Sequence, residues 1–196
     1  MLEVENREIA MSHRKKEETN NENRPLKTIV IEEALSWAKM IVFTVIAAVL
    51  INQFVIVNAS IPTGSMENVI MTNDRIIAFR LSYIFREPER FDIVIFRLPD
   101  NDRLFVKRII GLPGETVTIR DGRVYIDDSD VHLRDDFVGN HFFDNHGPEL
   151  VLEYHYFMLG DNRAFSEDSR TWGTVHRDGI LGRAIFRYYR GFGLLH

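Results

Sequence analysis

Residues 91–110, FDIVIFRLPDNDRLFVKRII, carry two runs rich in Ile, Val and Phe around a polar, proline-containing break. β-Branched and aromatic side chains fit a pleated surface, whereas Pro, Asn and Asp interrupt one, so 91–96 and 104–110 read as strands. Outward from this pair, residues 75–79, 116–119, 124–126, 154–159 and 184–189 have the same character. Asp121-Gly122 separates two of these runs and is the two-residue signal of a β-hairpin, because the favoured turn needs positive φ at both positions. Helical periodicity is weak, so residues 58–196 are read as one mainly β domain. Within it, residues 127–153, rich in Asp, His, Asn and Gly, are read as an irregular extension.

Toward the N-terminus the pattern changes. Residues 40–57, MIVFTVIAAVLINQFVIV, hold only Asn52 and Gln53 as strongly polar side chains. With Leu35 and Trp37 leading in, the run approaches the ~20 residues that a bilayer-spanning helix needs. A helix of a soluble domain usually shows a polar stripe, and a signal-peptide core is shorter. Residues 34–57 are therefore read as a transmembrane helix, and residues 1–33, polar and mixed in charge, as a tail. Arg24, Lys27 and Lys39 lie on or near its N-terminal side, and the next basic residue is Arg75. The excess of positive charge puts the N-terminus in the cytoplasm and the β domain outside, in contact with a lipid bilayer through a single pass.

Composition narrows the chemistry. The 196 residues suffice for one catalytic domain. A formal net charge of −5 supplies no basic field for nucleic acid. The absence of cysteine excludes thiol catalysis, Cys-ligated zinc and disulfides. The seven histidines form no His-Glu-x-x-His pattern, and Asp127, Asp128 and Asp130 lack the spacing of a calcium loop. No metal or organic cofactor is expected.

Three clusters can carry chemistry. Ile61-Pro62-Thr63-Gly64-Ser65-Met66 follows the apolar run, and a Ser after Gly can be presented on a tight turn with its own N–H beside it. Such a Ser also fits a simple loop. In the second cluster, residues 106–115, VKRIIGLPGE, a period of two puts Lys107 on one face with Phe105 and Ile109. An apolar face lowers the pKa of an ammonium toward the neutral amine that a general base must be. Lys107 equally fits an edge-strand lysine that discourages sheet-to-sheet association. Arg108 cannot act as a base, because a guanidinium keeps its proton. The third cluster, residues 160–173, GDNRAFSEDSRTWG, is dense in side chains that bond to backbone and to each other.

In this order, the apolar segment and the three clusters resemble the signature boxes of type I signal peptidases, over roughly residues 35–190. The resemblance implies that Ser65 is the nucleophile and Lys107 the general base. It implies that Ser166 orients the Lys107 amine, and that the Thr63 hydroxyl and the Ser65 N–H form an oxyanion hole. Asp161, Asp168 and Arg170 would brace the site, and Ile61, Pro62, Met66 and Val106 would wall the substrate cleft. The sequence departs from the family pattern where Pro-Thr-Leu is usual: Glu67-Asn68-Val69-Ile70 follows Met66. Two Gly-Asp pairs appear as Asn73-Asp74 and Phe91-Asp92. The short chain is similar to the compact branch of the family found in Gram-positive bacteria.

The implied activity is removal of signal peptides from secretory preproteins after a small residue, near the protein translocation machinery. A cytosolic self-cleaving repressor with a Ser–Lys pair is a second reading, but the apolar anchor and the lack of a basic helical module speak against it. A non-enzymatic membrane-tethered binding protein is a third, and the joint presence of Ser65, Lys107 and Ser166 speaks against that.

Overall fold

The protein is seen in a computed structural model that describes residues 25–99, 101–140, 142–188 and 191–195. Residues 1–24 of the expected polar tail lie outside the described residues. The chain divides into two units, residues 1–49 and 50–196.

The first unit holds helix α1, Leu26–Leu50. It begins well before residue 34, where the apolar run was expected to start it. Pro25 stands just before the helix, where its fixed φ suits a helix start, and its carbonyl accepts from the Thr28 N–H at 2.8 Å. Lys27, Glu32, Glu33 and Ala34 are good helix formers, so the helix extends through residues that hydropathy alone would exclude. At 1.5 Å per residue, 25 residues reach roughly 37 Å, more than the ~30 Å of a hydrocarbon core. Its apolar side chains are exposed, Phe43 at 73% and Val30 at 62%. By length and composition this helix can cross a membrane.

The second unit opens on a π-helical turn, Ile51–Val55, and then is mainly strand. Its strands are β1 (Ile56–Ser60), β2 (Arg75–Phe79), β3 (Ile93–Leu98), β4 (Asn101–Gly111), β5 (Thr116–Arg120), β6 (Arg123–Ile126), β7 (His146–Leu150), β8 (His155–Leu159), β9 (Val175–His176), β10 (Ile180–Arg187) and β11 (Gly193–Leu194). The larger sheet runs β1-β2-β10-β3-β4-β8-β9, with β11 on β10, and a second sheet runs β6-β5-β7. Neighbours in both sheets are antiparallel.

Two strands lie where the sequence suggested otherwise. β1 starts inside the apolar run read as membrane helix. Ile56 and Val57 are as apolar as their neighbours, so hydropathy does not mark the change, although both are β-branched. β7 lies in the segment read as irregular, because Gly147 and Pro148 argue against a strand. It pairs with β5 alone, and an edge strand tolerates a proline that a central one would not.

The run at 91–96 becomes a strand buried on both faces. Ile93 and Ile95 join one core with Val57, Ala59, Met66 and Ile70. Val94 and Phe96 join another with Ile109, Tyr156 and Met158. The strand itself starts at Ile93, because Phe91 has φ 72°. Asn73 has φ 70°. These are the two positions where the family pattern has Gly, and the left-handed backbone explains that preference. The Asp121-Gly122 turn joins β5 to β6 with φ 50° and 77°, and Arg120 pairs with Arg123 across it.

Candidate active site

Ser65 lies in the loop between β1 and β2. The loop is closed on itself by hydrogen bonds from the Ile61 N–H to the Asp74 carbonyl at 3.0 Å and from the Asn73 N–H to the Ile61 carbonyl at 2.7 Å. Met66 and Ile70 are fully buried beneath it. A second loop grips the first through Asn162. Its backbone N–H donates to the Ser65 carbonyl at 3.1 Å, and its Nδ2 donates to the Gly64 carbonyl at 2.9 Å.

Lys107 comes to the same place from β4, where it pairs with Val94 of β3. It is 3% exposed, and its Nζ donates to Ser65 Oγ at 2.6 Å. Burial disfavours the ammonium and lowers the Lys107 pKa from 10.5 to about 8, against the carboxylates of Asp168, Glu167 and Asp161, which raise it. Once the amine is neutral the hydrogen bond reverses, and its lone pair can take the Ser65 hydroxyl proton.

The bracing residues form a tight set. Arg108 donates to Asp161 through Nε at 2.9 Å and Nη2 at 2.7 Å, with both side chains 1% exposed. Asp168 accepts from the Gly160 N–H at 3.1 Å and from Arg170 Nε at 2.8 Å. It also caps the short helix α2, Ser169–Trp172. Arg170 donates further to the carbonyls of Arg163 at 2.8 Å and Ser166 at 3.4 Å. Gly160 has no room for a side chain, since a Cβ there would collide with Ser166 Oγ and the Ser65 carbonyl.

Ser166 is thus brought beside the Ser65 loop, but its Oγ is buried with no hydrogen-bond partner among the described residues. The bond to Lys107 that the resemblance implies is not formed in this geometry, in which the amine donates to Ser65 Oγ. An unpaired buried hydroxyl is costly, and such groups concentrate where function needs them.

A cleft of about 840 Å³ opens over Ser65 and Lys107. Ile61, Pro62, Thr63, Met66 and Val106 line it, as do Phe105, expected on the Lys107 face, and residues that the sequence did not single out, among them Leu104, Phe165 and Glu167. Thr63 and Pro62 are exposed, while Ile61, Met66 and Val106 are buried at its walls. Two strand edges border it. β1 is the outermost strand of its sheet, and β8 takes up β4 only from Arg108 onward. Among the described residues, no group of three or more His, Asp or Glu side chains is arranged to hold a metal ion.

Asn162 is the residue whose part sequence reasoning missed. It stands in plain sight in the third cluster, but its partner carbonyl on Gly64 lies 98 residues away, and no local pattern records such a contact.

The chain is similar to known proteins over most of its length. The family model described as signal peptidase, peptidase S26, matches residues 34–189. A probable signal peptidase I-2 of Synechocystis is 39% identical over 161 residues, covering 79% of this chain and 73% of that protein. A signal peptidase I of Leptolyngbya laminosa is 38% identical, covering 77% of each. Signal peptidase I V of Bacillus subtilis is 31% identical, covering 74% of this chain and 94% of that one.

Proposed function

The chain belongs to the signal peptidase family, peptidase S26, as a serine peptidase that removes signal peptides, and on that premise we propose that it does so with Ser65 as nucleophile and Lys107 as general base. The observation that carries this reading is the 2.6 Å contact between Lys107 Nζ and Ser65 Oγ, made by a buried amine whose pKa is lowered to about 8.

Neutral Lys107 takes the Ser65 proton as Oγ attacks the scissile carbonyl. The oxyanion is met by the Ser65 N–H and the Thr63 hydroxyl. Lys107 then returns the proton to the leaving amine, which departs as the new N-terminus of the mature protein. Water enters, loses a proton to the Lys107 amine and attacks the Ser65 ester; Lys107 passes that proton to Ser65 Oγ as the signal peptide leaves with its new C-terminal carboxylate. Ser166 Oγ, buried and without a partner among the described residues, is the group available to aim the Lys107 amine when Ser65 Oγ is acylated. Asp161, Asp168 and Arg170 hold the two loops in register.

The preprotein lies extended in the cleft, along the open edges of β1 and β4. Main-chain hydrogen bonds of strand type supply affinity there. The walls formed by Ile61, Pro62, Met66 and Val106 admit a small residue at the cleavage position. Helix α1 spans the bilayer once, with the N-terminus cytoplasmic and the catalytic domain outside. Only a short stretch of chain links the apolar run to Ser65, which suits a substrate emerging from the translocation machinery at the membrane surface.

The test is cleavage of a secretory preprotein by full-length variants, with the new N-terminus mapped. Ser65→Ala, Lys107→Ala and Lys107→Arg each abolish cleavage while the protein stays folded. Retention of more than a tenth of wild-type kcat in Lys107→Ala would overturn the assignment of the base, since loss of a general base costs ~10²–10⁴-fold.

A further inference from the structure

The segment between β6 and β7 is not used by the mechanism above, yet it touches the reactive loops at three points. At the first, the Phe137 ring lies 4.3 Å from the Arg108 guanidinium and 5.5 Å from the Phe91 ring, and the Phe137 carbonyl accepts from Asn68 Nδ2 at 3.0 Å. At the second, the Gly139 N–H donates to the Asp161 carbonyl at 3.1 Å, and Asn140 Nδ2 donates to Asn162 Oδ1 at 3.2 Å. At the third, Asp144 Oδ2 accepts from Arg170 Nη1 at 2.8 Å, with side chains 22% and 11% exposed.

The far side of the segment is tied to the second sheet. The Gly122 N–H donates to the Asp144 carbonyl at 2.9 Å, and the Asp121 N–H donates to Asn145 Oδ1 at 3.0 Å. A Cβ at Gly122 would collide with the Phe142 carbonyl, so the hairpin tip is shaped to seat this segment. Phe91 adds a second sign of fit. It keeps a left-handed backbone that Gly would adopt more easily, and its ring is spent on Phe137 and on Arg134, whose guanidinium lies 5.1 Å away.

The second and third contacts lead to groups that hold the backbone of the Ser65 and Ser166 loops. Asn140 meets the Asn162 carboxamide, whose nitrogen holds the Gly64 carbonyl beside Ser65. Asp144 meets the guanidinium that holds the Ser166 carbonyl and Asp168. We propose that residues 137–140 and 142–144 form a strap that fixes the active-site geometry, with Asn140 and Asp144 as positioning residues acting through Asn162 and Arg170. Neither touches substrate. Both keep the Ser65 and Ser166 loops at the separation that proton transfer requires, where a displacement of about 1 Å can cost ~10²-fold in rate.

This inference rests on the Ser65–Lys107 reading of the mechanism. Full-length variants are assayed on one secretory preprotein, with Ser65→Ala and Lys107→Ala alongside. Asp144→Ala and Asn140→Ala are expected to lower kcat about tenfold or more, with KM within about twofold of wild type and the unfolding midpoint nearly unchanged. Asp144→Asn, which keeps the shape and loses the charge, is expected to fall between Ala and wild type. The decisive readout is non-additivity. Asp144→Ala combined with Arg170→Ala is no slower than Arg170→Ala alone, and Asn140→Ala combined with Asn162→Ala is no slower than Asn162→Ala alone. Additive losses, a rise in KM at constant kcat, wild-type kcat in the single variants, or a kcat loss matched by lost folded protein would each overturn the strap. If Ser65→Ala or Lys107→Ala stays active, the underlying mechanism fails. If both are dead and the strap variants are normal, the strap alone fails.

Discussion

Lys107 and Arg108 are neighbours on β4, both buried and both basic, yet the two faces of the strand treat them in opposite ways. Arg108 is met by a two-pronged carboxylate, Asp161, and by the Phe91 carbonyl at 3.0 Å. A guanidinium has no neutral form to retreat to, so its burial must be answered with a counter-charge. Lys107 is answered with a hydroxyl instead, and the carboxylates of Asp168, Glu167 and Asp161 do not offset its desolvation. The amine responds by releasing its proton more readily. A buried cation with a matched partner is structural, and one without such a partner becomes a titrating group.

The largest effect separates the two faces by activity. Lys107→Met should lower kcat by ~10²–10⁴-fold, the range for loss of a general base, with the fold intact by circular dichroism. Next comes Asp161→Ala, which should destabilise the domain by roughly 3–5 kcal/mol, because it leaves the Arg108 charge buried and unmatched. A denaturant midpoint close to wild type would erase the contrast.

The same Lys107→Met variant should gain stability, by up to about 3 kcal/mol, since each pH unit of pKa displacement is worth about 1.4 kcal/mol. The sign follows from linkage: the folded pKa, about 8, lies below 10.5, so the folded state binds fewer protons than the unfolded one between these values. The wild-type penalty is complete below about pH 8, shrinks as the pH rises toward 10.5, and is absent above it. Unfolding curves at pH 7 and at pH 10.5 should therefore show the gain of Lys107→Met at the first and little at the second.

The smallest effect sharpens the picture of what surrounds the amine. The acid limb of kcat/KM should fall near pH 8, where Lys107 becomes neutral. Glu167 lines the cleft and raises the Lys107 pKa, so Glu167→Gln should move that limb slightly to lower pH. Because Glu167 is exposed, added salt should shrink the shift. A shift to higher pH would contradict the electrostatic account.

Much of this architecture was legible in the sequence. The Ile- and Val-rich runs and Asp121-Gly122 announced a mainly β domain, and an alternation of two put Lys107 on a different face from Arg108. The register bears out that alternation: Lys107 lies opposite Val94 and Arg108 opposite Ile93, which belong to different cores. Other features left no local trace. The start of α1 at Leu26 depends on helix propensity within a polar stretch, and the switch to β1 at Ile56 comes among apolar residues, after Asn52 and Gln53, that hydropathy assigns to the membrane run. β7 is disguised by its proline. The holds of Asn162 on Gly64 and of Asp144 on Arg170 join residues 98 and 26 apart, and contacts of that kind have no periodicity to read.

The burial of Lys107 has a practical consequence. It is the single lysine from residue 40 to the end of the chain, all other basic side chains there being Arg or His. Its pKa, lowered to about 8, makes it neutral at a lower pH than an ordinary lysine, while the lysines at positions 15, 16, 27 and 39 belong to the other unit. A small acylating reagent that enters the cleft would meet one nucleophilic amine in the whole β domain. The stoichiometry of its incorporation at Lys107, read from the modified β-domain peptide, would count competent active sites, and a bound signal peptide would shield that amine in proportion to occupancy.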